Sequence, residues 1–253
     1  GIRTSGTMTV TDSELNFNSA ASSGGGIAHD GTGATLTVTG STVNNNSAAT
    51  EGGGISVTLA ATADIEQSAI TRNTANAGAG FSNAGTLNIT NSTLSANVSV
   101  AQGGGILTSG ALTVNHATIT TNTAGAAGEG GGIRIIGVPG VTVTGTILSG
   151  NLGNAGPECS GIFSSGGYNL VGSTASPCVY TGDATDLPAL SDPMLGSLTS
   201  GDGTEYHPLL AGSDAIDAGG ACGLAEDQLA NTRPDGPACD VGAIEGTSPV
   251  MAD

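Results

Sequence analysis

The residues that could carry acid–base chemistry are few in this chain, and most lie far apart. Hydrolysis of a glycosidic bond needs two or three carboxylates that converge on one point. Asp64 and Glu66 flank Ile65, so in an extended strand both carboxylates would project from one face. The matching positions before and after this segment hold threonine and asparagine instead of further acids. The pair is therefore typical of a solvated strand face, and we do not assign it to catalysis.

Cationic side chains are equally sparse. A polysaccharide lyase combines a base, commonly Arg or Lys, with acids that hold calcium. This chain has four cationic residues: Arg3, Arg72, Arg134 and Arg233. None has a cluster of carboxylates at neighbouring positions of the pattern described below. The sequence therefore predicts no catalytic residues.

The chain also contains three histidines and a group of acids near its C-terminal end. The histidines, His29, His116 and His207, lie apart from any serine-elbow or cysteine partner, which favours surface or loop positions. A group of acids surrounds Arg233 in sequence: Asp214, Asp217, Asp227, Asp235 and Asp240. These could form a calcium or catalytic site, but we favour a hydrogen-bond and salt-bridge network that caps the fold. Calcium-binding nonapeptide repeats and zinc-site spacings are absent, so we predict no metal and no cofactor.

The most regular polar signal is an asparagine that recurs about every 25 residues. Each copy lies eight residues after a Val or Ile and three residues after an aliphatic residue. The six copies are Asn18, Asn46, Asn73, Asn97, Asn122 and Asn151. A fixed period of this length is typical of a solenoid, in which like residues stack on like residues. We therefore predict that the six side chains form a structural ladder of amide hydrogen bonds.

The segments between the asparagines alternate apolar and polar residues, which predicts half-buried strands. Three such strands per repeat, with no helical pattern between them, predict an all-β fold. We expect a right-handed, single-stranded parallel β-helix with three strands per coil. Regular coils should occupy residues 1–151. Residues 152–253 should form an irregular continuation of the β-helix and a closing motif at the C-terminus.

The composition argues against nucleic acid and the membrane interior as partners. The net charge is −17, and no basic stripe exists that could displace counterions from nucleic acid. No apolar run is long enough to cross a bilayer, so we predict no membrane span. Residues 1–6 already match the repeat at 105–110, so the chain is expected to begin inside a coil.

Four cysteines occur only in the second half of the chain, and they allow three pairings. We favour Cys159 with Cys178 and Cys222 with Cys239, because each bond would staple an irregular excursion from the repeat. Four free thiols are the alternative. Disulfides and the absence of lysine indicate an oxidising, extracellular setting.

The glycine clusters and the residues before each asparagine resemble the GGA(I/L/V) and FxxN repeats of polymorphic outer-membrane proteins and pectin-lyase-like adhesins. This resemblance covers residues 1–151, with aliphatic residues in place of Phe. Residues 192–196, 207–219 and 239–245 resemble the closing motif of bacterial choice-of-anchor Q proteins. Those are secreted right-handed β-helix proteins with variable surface anchors. The resemblance implies an exported protein of a bacterial cell surface and implies no catalytic residues.

From these patterns we expect a non-enzymatic extracellular structural protein, a subunit of a surface filament or stalk that stacks head-to-tail on copies of itself. A monomeric adhesin or a β-helix that binds extracellular glycans is the first alternative. A polysaccharide lyase or hydrolase and an ice-binding protein are further alternatives, the last because of the Thr-x-Thr strands. Sequons make glycosylation possible at Asn45, Asn88 and Asn91.

Overall fold

A computed structural model describes residues 1–137, 140–175, 177–188 and 191–246. In these residues all regular secondary structure is β. The chain forms a parallel β-solenoid of about six coils with a period of about 26 residues. The predicted all-β, parallel β-helical fold is therefore confirmed.

Every regular coil contributes one strand to each of three parallel sheets. Sheet 1 contains β1 (Ile2–Thr4), β5 (Ile27–His29), β9 (Ile55–Val57), β13 (Phe81–Asn83), β17 (Ile106–Thr108) and β20 (Ile133–Ile135). Sheet 2 contains β2 (Met8–Thr11), β6 (Thr35–Thr39), β10 (Thr62–Glu66), β14 (Thr86–Thr90), β18 (Ala111–Asn115) and β21 (Val141–Thr144). Sheet 3 contains β3 (Glu14–Asn16), β7 (Thr42–Asn44), β11 (Ala69–Thr71), β15 (Thr93–Ser95), β19 (Thr118–Thr120), β22 (Ile147–Leu148) and β24 (Leu170–Val171).

Four coils add a short fourth strand after the ladder asparagine. Sheet 4 contains β4 (Ser19–Ala20), β8 (Ser47–Glu51), β12 (Thr74–Ala77) and β16 (Val98–Ser99). In the last coil β23 (Cys159–Ser165) extends both sheet 1 and sheet 2, and β25 (Cys178–Thr181) pairs with it in parallel. A separate antiparallel hairpin consists of β26 (Thr199–Gly201) and β27 (Thr204–Tyr206).

The core lies inside the coils and is built from stacked aliphatic side chains. Val38, Ile65 and Ile89 occupy the same register position of β6, β10 and β14, and each is at most 1% exposed. Branched aliphatic residues suit this packing, because they fill a thin layer between pleated sheets. The alternation of residues in the sequence therefore maps directly onto the inner and outer faces of sheet 2.

After the last coil the chain does not continue along the solenoid axis. Residues 191–246, which we call the strap, return along the outer surface of sheet 3. The strap reaches back to the second coil, where the Thr42 hydroxyl donates to Gly203 O at 3.1 Å. Strands β7, β11, β15 and β19 are consequently buried on both faces, whereas β3 in the first coil remains partly exposed.

Two disulfides stabilise the part of the chain that follows the regular coils. Cys159 bonds Cys178, which ties β23 to β25, and Cys222 bonds Cys239 within the strap. This is the sequence-local pairing favoured above. Closing loops of this size restricts the unfolded chain and so favours the folded state.

Candidate functional site

The asparagine column forms a continuous ladder of hydrogen bonds through all six coils. The Nδ2 of each of the first five asparagines donates to Oδ1 of the asparagine in the next coil, at distances of 2.9 to 3.1 Å. Each backbone N–H of the first five donates to the same Oδ1. The contacts between asparagine side chains therefore have a polarity, because each amide donates to the Oδ1 on its C-terminal side. From Asn46 onward, the second hydrogen of Nδ2 donates to a backbone carbonyl of the preceding coil.

The left-handed residue at this corner is the one before each asparagine, not the asparagine itself. The corner residues have φ between +52° and +56° in five coils: Phe17, Asn45, Arg72, Ala96 and Thr121. In the sixth coil the position is Gly150, with φ +75°. A left-handed conformation at non-glycine residues is uncommon and strained. The hydrogen bonds of the ladder hold this turn in the same conformation in every coil.

The ladder ends at a carboxylate. Asn151 Nδ2 donates to Glu158 Oε2 at 2.7 Å, and Gly150 N donates to Glu158 Oε1 at 3.0 Å. Glu158 is 4% exposed, and its burial raises the pKa of the carboxyl to about 6, although the hydrogen bonds from Asn151 and Gly150 oppose the shift. Glu158 thus occupies the place where the acceptor of a seventh asparagine would lie.

A second ladder runs along the corner between sheets 2 and 3 and also ends at a carboxylate. Ser13 N donates to Ser41 Oγ at 3.0 Å, and Ser41 N donates to Ser68 Oγ at 3.1 Å. At the far end, Asn169 N and Nδ2 both donate to Asp186 Oδ1, at 2.9 and 3.1 Å. The sequence did not reveal Glu158 or Asp186 as ladder ends, because each occurs once and lies outside the repeat.

Arg233 lies inside the strap, where the charges of Glu245, Asp227 and Asp240 act on it. Of the other predicted acids, Asp214 accepts from Asp192 N at 2.7 Å and Asp217 N donates to Asp240 Oδ1 at 2.7 Å. Arg233 Nη1 donates to Glu245 Oε1 at 2.5 Å, and Nη2 donates to Gly242 O at 2.7 Å. Both side chains of this ion pair are at most 1% exposed. Asp227 accepts from Glu245 N at 2.9 Å, and burial raises the pKa of Asp240 to about 6. These contacts form a network that holds the strap together, as a buried ion pair requires further hydrogen bonds to be stable.

The expectation of surface or loop positions is wrong for His29, which is buried within β5, whereas His116 and His207 do lie in loops. All three histidines are at most 6% exposed. His29 points inward from β5, and the strap covers the corner that carries His116. Burial and, second, the charge of Arg233 lower the pKa of His116 to about 4. The strap is distant from His116 in sequence, so the sequence pattern around this histidine did not indicate that it would be covered.

His207 and Ser95 form a contact that the sequence did not predict. His207 Nδ1 lies 2.7 Å from Gly196 O, and Nε2 lies 2.8 Å from Ser95 Oγ. Burial lowers the pKa of His207, so the ring is neutral at pH 7. A carbonyl only accepts, so Nδ1 carries the proton and Nε2 accepts from the serine hydroxyl. A nucleophile and base share this connectivity, but Ser95 is 0% exposed, so the contact fastens the strap to β15.

Outside the network around Arg233, each arginine pairs with a single carboxylate. Arg72 Nη1 lies 2.7 Å from Glu205 of the strap, and Arg134 Nη1 lies 3.1 Å from Glu129. Arg3 pairs with Asp30 at the surface. Asp64 and Glu66 project from the exposed face of sheet 2, where Asn88 Nδ2 donates to Asp64 at 2.7 Å. In each of these contacts, the charged side chain is bound to another side chain of the fold.

Two separate cavities lie beside the outer face of sheet 1. The first, of about 360 Å³, is lined by Arg3, Asp30, Glu51 and Ser82, and the Ser82 hydroxyl donates to Glu51 at 2.8 Å. The second, of about 410 Å³, is lined by Gln102, Glu129 and Arg134. Both cavities offer hydrogen-bonding side chains to a polar ligand.

The three sequons differ in access. Asn45 and Asn88 are partly exposed. Asn91 is 3% exposed, and its Nδ2 donates to Glu226 O of the strap at 2.6 Å. In the folded chain Asn91 is thus enclosed, and the surface positions are Asn45 and Asn88.

Across the described ranges, no three His, Cys, Asp or Glu side chains are grouped so that they could hold a metal ion. The same residues contain no helix that is long and apolar enough to cross a membrane. The fold and these contacts define a parallel β-solenoid fastened by a returning strap. No known protein family, no curated protein and no solved structure matches the chain.

Proposed function

We propose that the protein is a non-enzymatic, extracellular structural rod that acts as a stalk or surface element. The observation that carries the proposal is the asparagine ladder, which links all six coils and ends at Glu158. A second ladder, interrupted at Ala117, adds contacts between coils and ends at Asp186. Hydrogen bonds at the same position in successive coils resist sliding and bending of one coil against the next. A rod of fixed length is what a stalk requires.

The use of the titratable groups supports a structural role. Glu158 and Asp186 terminate ladders, Arg233 and Glu245 hold the strap, and Glu205 fastens the strap to Arg72. Catalysis by a lyase or a hydrolase needs acids and bases that reach a substrate. Here these groups are engaged in contacts that hold the fold.

The polarity of the ladders bears on the head-to-tail filament expected from the sequence. At the last coil of the ladder, the amide donors of Asn151 are already bound by Glu158. These donors are therefore not available to the asparagine of a second copy. We therefore favour a stalk over a filament of stacked copies.

The resemblance to choice-of-anchor Q proteins supports a place on a bacterial cell surface. The two disulfides agree with an oxidising, extracellular environment. The proposal therefore includes export and attachment to the cell envelope.

Light scattering and negative-stain microscopy test the structural proposal. We expect single rods at all concentrations, without fibres. Fibres that lengthen with concentration would overturn the preference for a stalk. A parallel assay for new reducing or unsaturated ends from a panel of polysaccharides tests the enzyme alternative, and release of such ends would overturn the non-enzymatic role.

The cavity beside Arg134 favours glycan binding as a second candidate function. Gln102, Glu129 and Arg134 line it with donors and acceptors, and glycans are rich in both. A glycan array with the native chain tests this candidate, and Arg134→Ala should lower binding whereas Arg72→Ala, on another face, should not.

A further inference from the structure

The outer face of sheet 2 carries a two-dimensional array of hydroxyl-bearing side chains. We call the outward side chains of β2, β6, β10, β14, β18 and β21 the hydroxyl face. One column along the solenoid axis holds Thr9, Thr37, Asp64, Asn88, Thr113 and Thr142. The next column holds Thr11, Thr39, Glu66, Thr90, Asn115 and Thr144. Eight of these twelve side chains are threonines.

The register of this face is unbroken. Each residue pairs with the matching residue of the next coil from β2 to β21. The inward neighbours, such as Val38, Ile65 and Ile89, are buried in the core and fix the strands beneath the face. Threonine is also stiff at χ1, because it branches at Cβ. The hydroxyls and methyls are therefore held at fixed positions.

The face is also nearly free of charge, although the chain has a net charge of −17. Its only two ionisable side chains are Asp64 and Glu66, both on β10. Within the described residues, no threonine hydroxyl of this face forms a hydrogen bond with the strap. A regular, uncharged surface of alternating methyl and hydroxyl groups suits an uncharged and regular partner.

The spacing of the array points to that partner. Adjacent coils lie about 4.8 Å apart, the separation of paired strands. Hydrogen-bonded oxygens lie about 2.75 Å apart. In a tetrahedral water network with bonds of about 2.75 Å, two oxygens that share a neighbour are therefore about 4.5 Å apart. The repeat of the hydroxyls along the axis thus lies close to a repeat of crystalline water.

We propose that the hydroxyl face binds ordered water and, through it, the surface of ice. The threonine hydroxyls hydrogen-bond to waters of the lattice, and the methyl groups occupy gaps between them. Asp64 and Glu66 weaken the contact, because ionised carboxylates organise water around their own charge. This activity is independent of the stalk role, although a stalk with this face would attach its bearer to ice.

Variants of the whole chain test the proposal by thermal hysteresis and by uptake of the protein into a slowly growing ice crystal. We expect hysteresis in the native chain. Thr113→Lys, at an exposed position of the face, should lose most of it. The matched control is Thr74→Lys, which adds the same charge at an exposed position of sheet 4 and should keep it. Circular dichroism and thermal unfolding verify that both variants fold.

A gain-of-function variant gives the converse test. Asp64→Thr with Glu66→Thr completes the array and should raise the hysteresis above that of the native chain. The proposal is overturned if the native chain shows neither hysteresis nor uptake into ice. It is also overturned if Thr113→Lys and Thr74→Lys have equal effects in folded protein.

Discussion

The regular coils and the strap are stabilised in different ways. In the coils one set of contacts recurs, so that the loss of one rung leaves its copies in place. In the strap each contact occurs once, and several link residues that are more than a hundred positions apart, such as Ser95 with His207 and Thr42 with Gly203. Many equivalent contacts therefore share the stabilisation of the coils, whereas the strap depends on a few contacts that each occur once. Four substitutions test this contrast, from the largest expected effect to the smallest.

Arg233→Ala should have the largest effect. It leaves Glu245 buried without its cationic partner, and removal of one member of a buried ion pair typically costs about 3–5 kcal/mol. Urea denaturation measures the loss. The control is Arg3→Ala, whose side chain is 80% exposed and whose ion pair should contribute little. Equal effects of the two variants would contradict a concentrated network in the strap.

Asn97→Ala in the middle of the ladder should cost less. It removes the acceptor of Asn73 N and Nδ2, and a buried polar group left without a partner typically costs about 1–3 kcal/mol. Asn88→Ala, at a partly exposed position outside the ladder, is the matched control and should have a small effect. If the two variants unfold at the same urea concentration, the ladder contributes no special stability.

Glu158→Gln tests the carboxylate at the ladder end through pH. The folded pKa of about 6 lies above the ordinary value of 4.5, so this group favours folding below pH 4.5 and the contribution is lost as pH rises through 6. The variant cannot titrate at this position. Relative to the native chain, its free energy of unfolding should therefore rise by about 2 kcal/mol between pH 4.5 and 7.

The comparison with the native chain is needed because other groups titrate in the same range. Asp240 acts in the same direction as Glu158, since its pKa is also raised to about 6. His116 acts oppositely, because its lowered pKa favours folding above pH 6.5 and the contribution is lost as pH falls toward 4. A difference between variant and native chain that is constant with pH would show that Glu158 does not titrate as described.

Arg72→Ala should have the smallest effect, although Arg72 also fastens the strap. Its side chain is 40% exposed, and solvent screens the ion pair with Glu205, so the loss should be about 1 kcal/mol or less. Hydrogen exchange of the strap amides measures it. A loss comparable with that of Arg233→Ala would place the main fastening of the strap at the solvent-exposed contact instead of the buried one.

The sequence by itself determined the coils. The asparagine period, the inward aliphatic residues and the alternation of Thr with Val, Ile or Leu specify strands, faces and ladder, because each contact joins residues one period apart. Pairing of nearby cysteines was also accessible, since each disulfide closes a short excursion.

Only the tertiary structure decided the rest. It showed that the strap doubles back, that Glu158 and Asp186 end the ladders, and that all three histidines are buried. The physical reason is that these contacts are single pairs between distant segments, such as the 112 residues that separate Ser95 from His207. A repeat predicts contacts between its own copies, whereas a contact made once leaves no periodic trace in the chain.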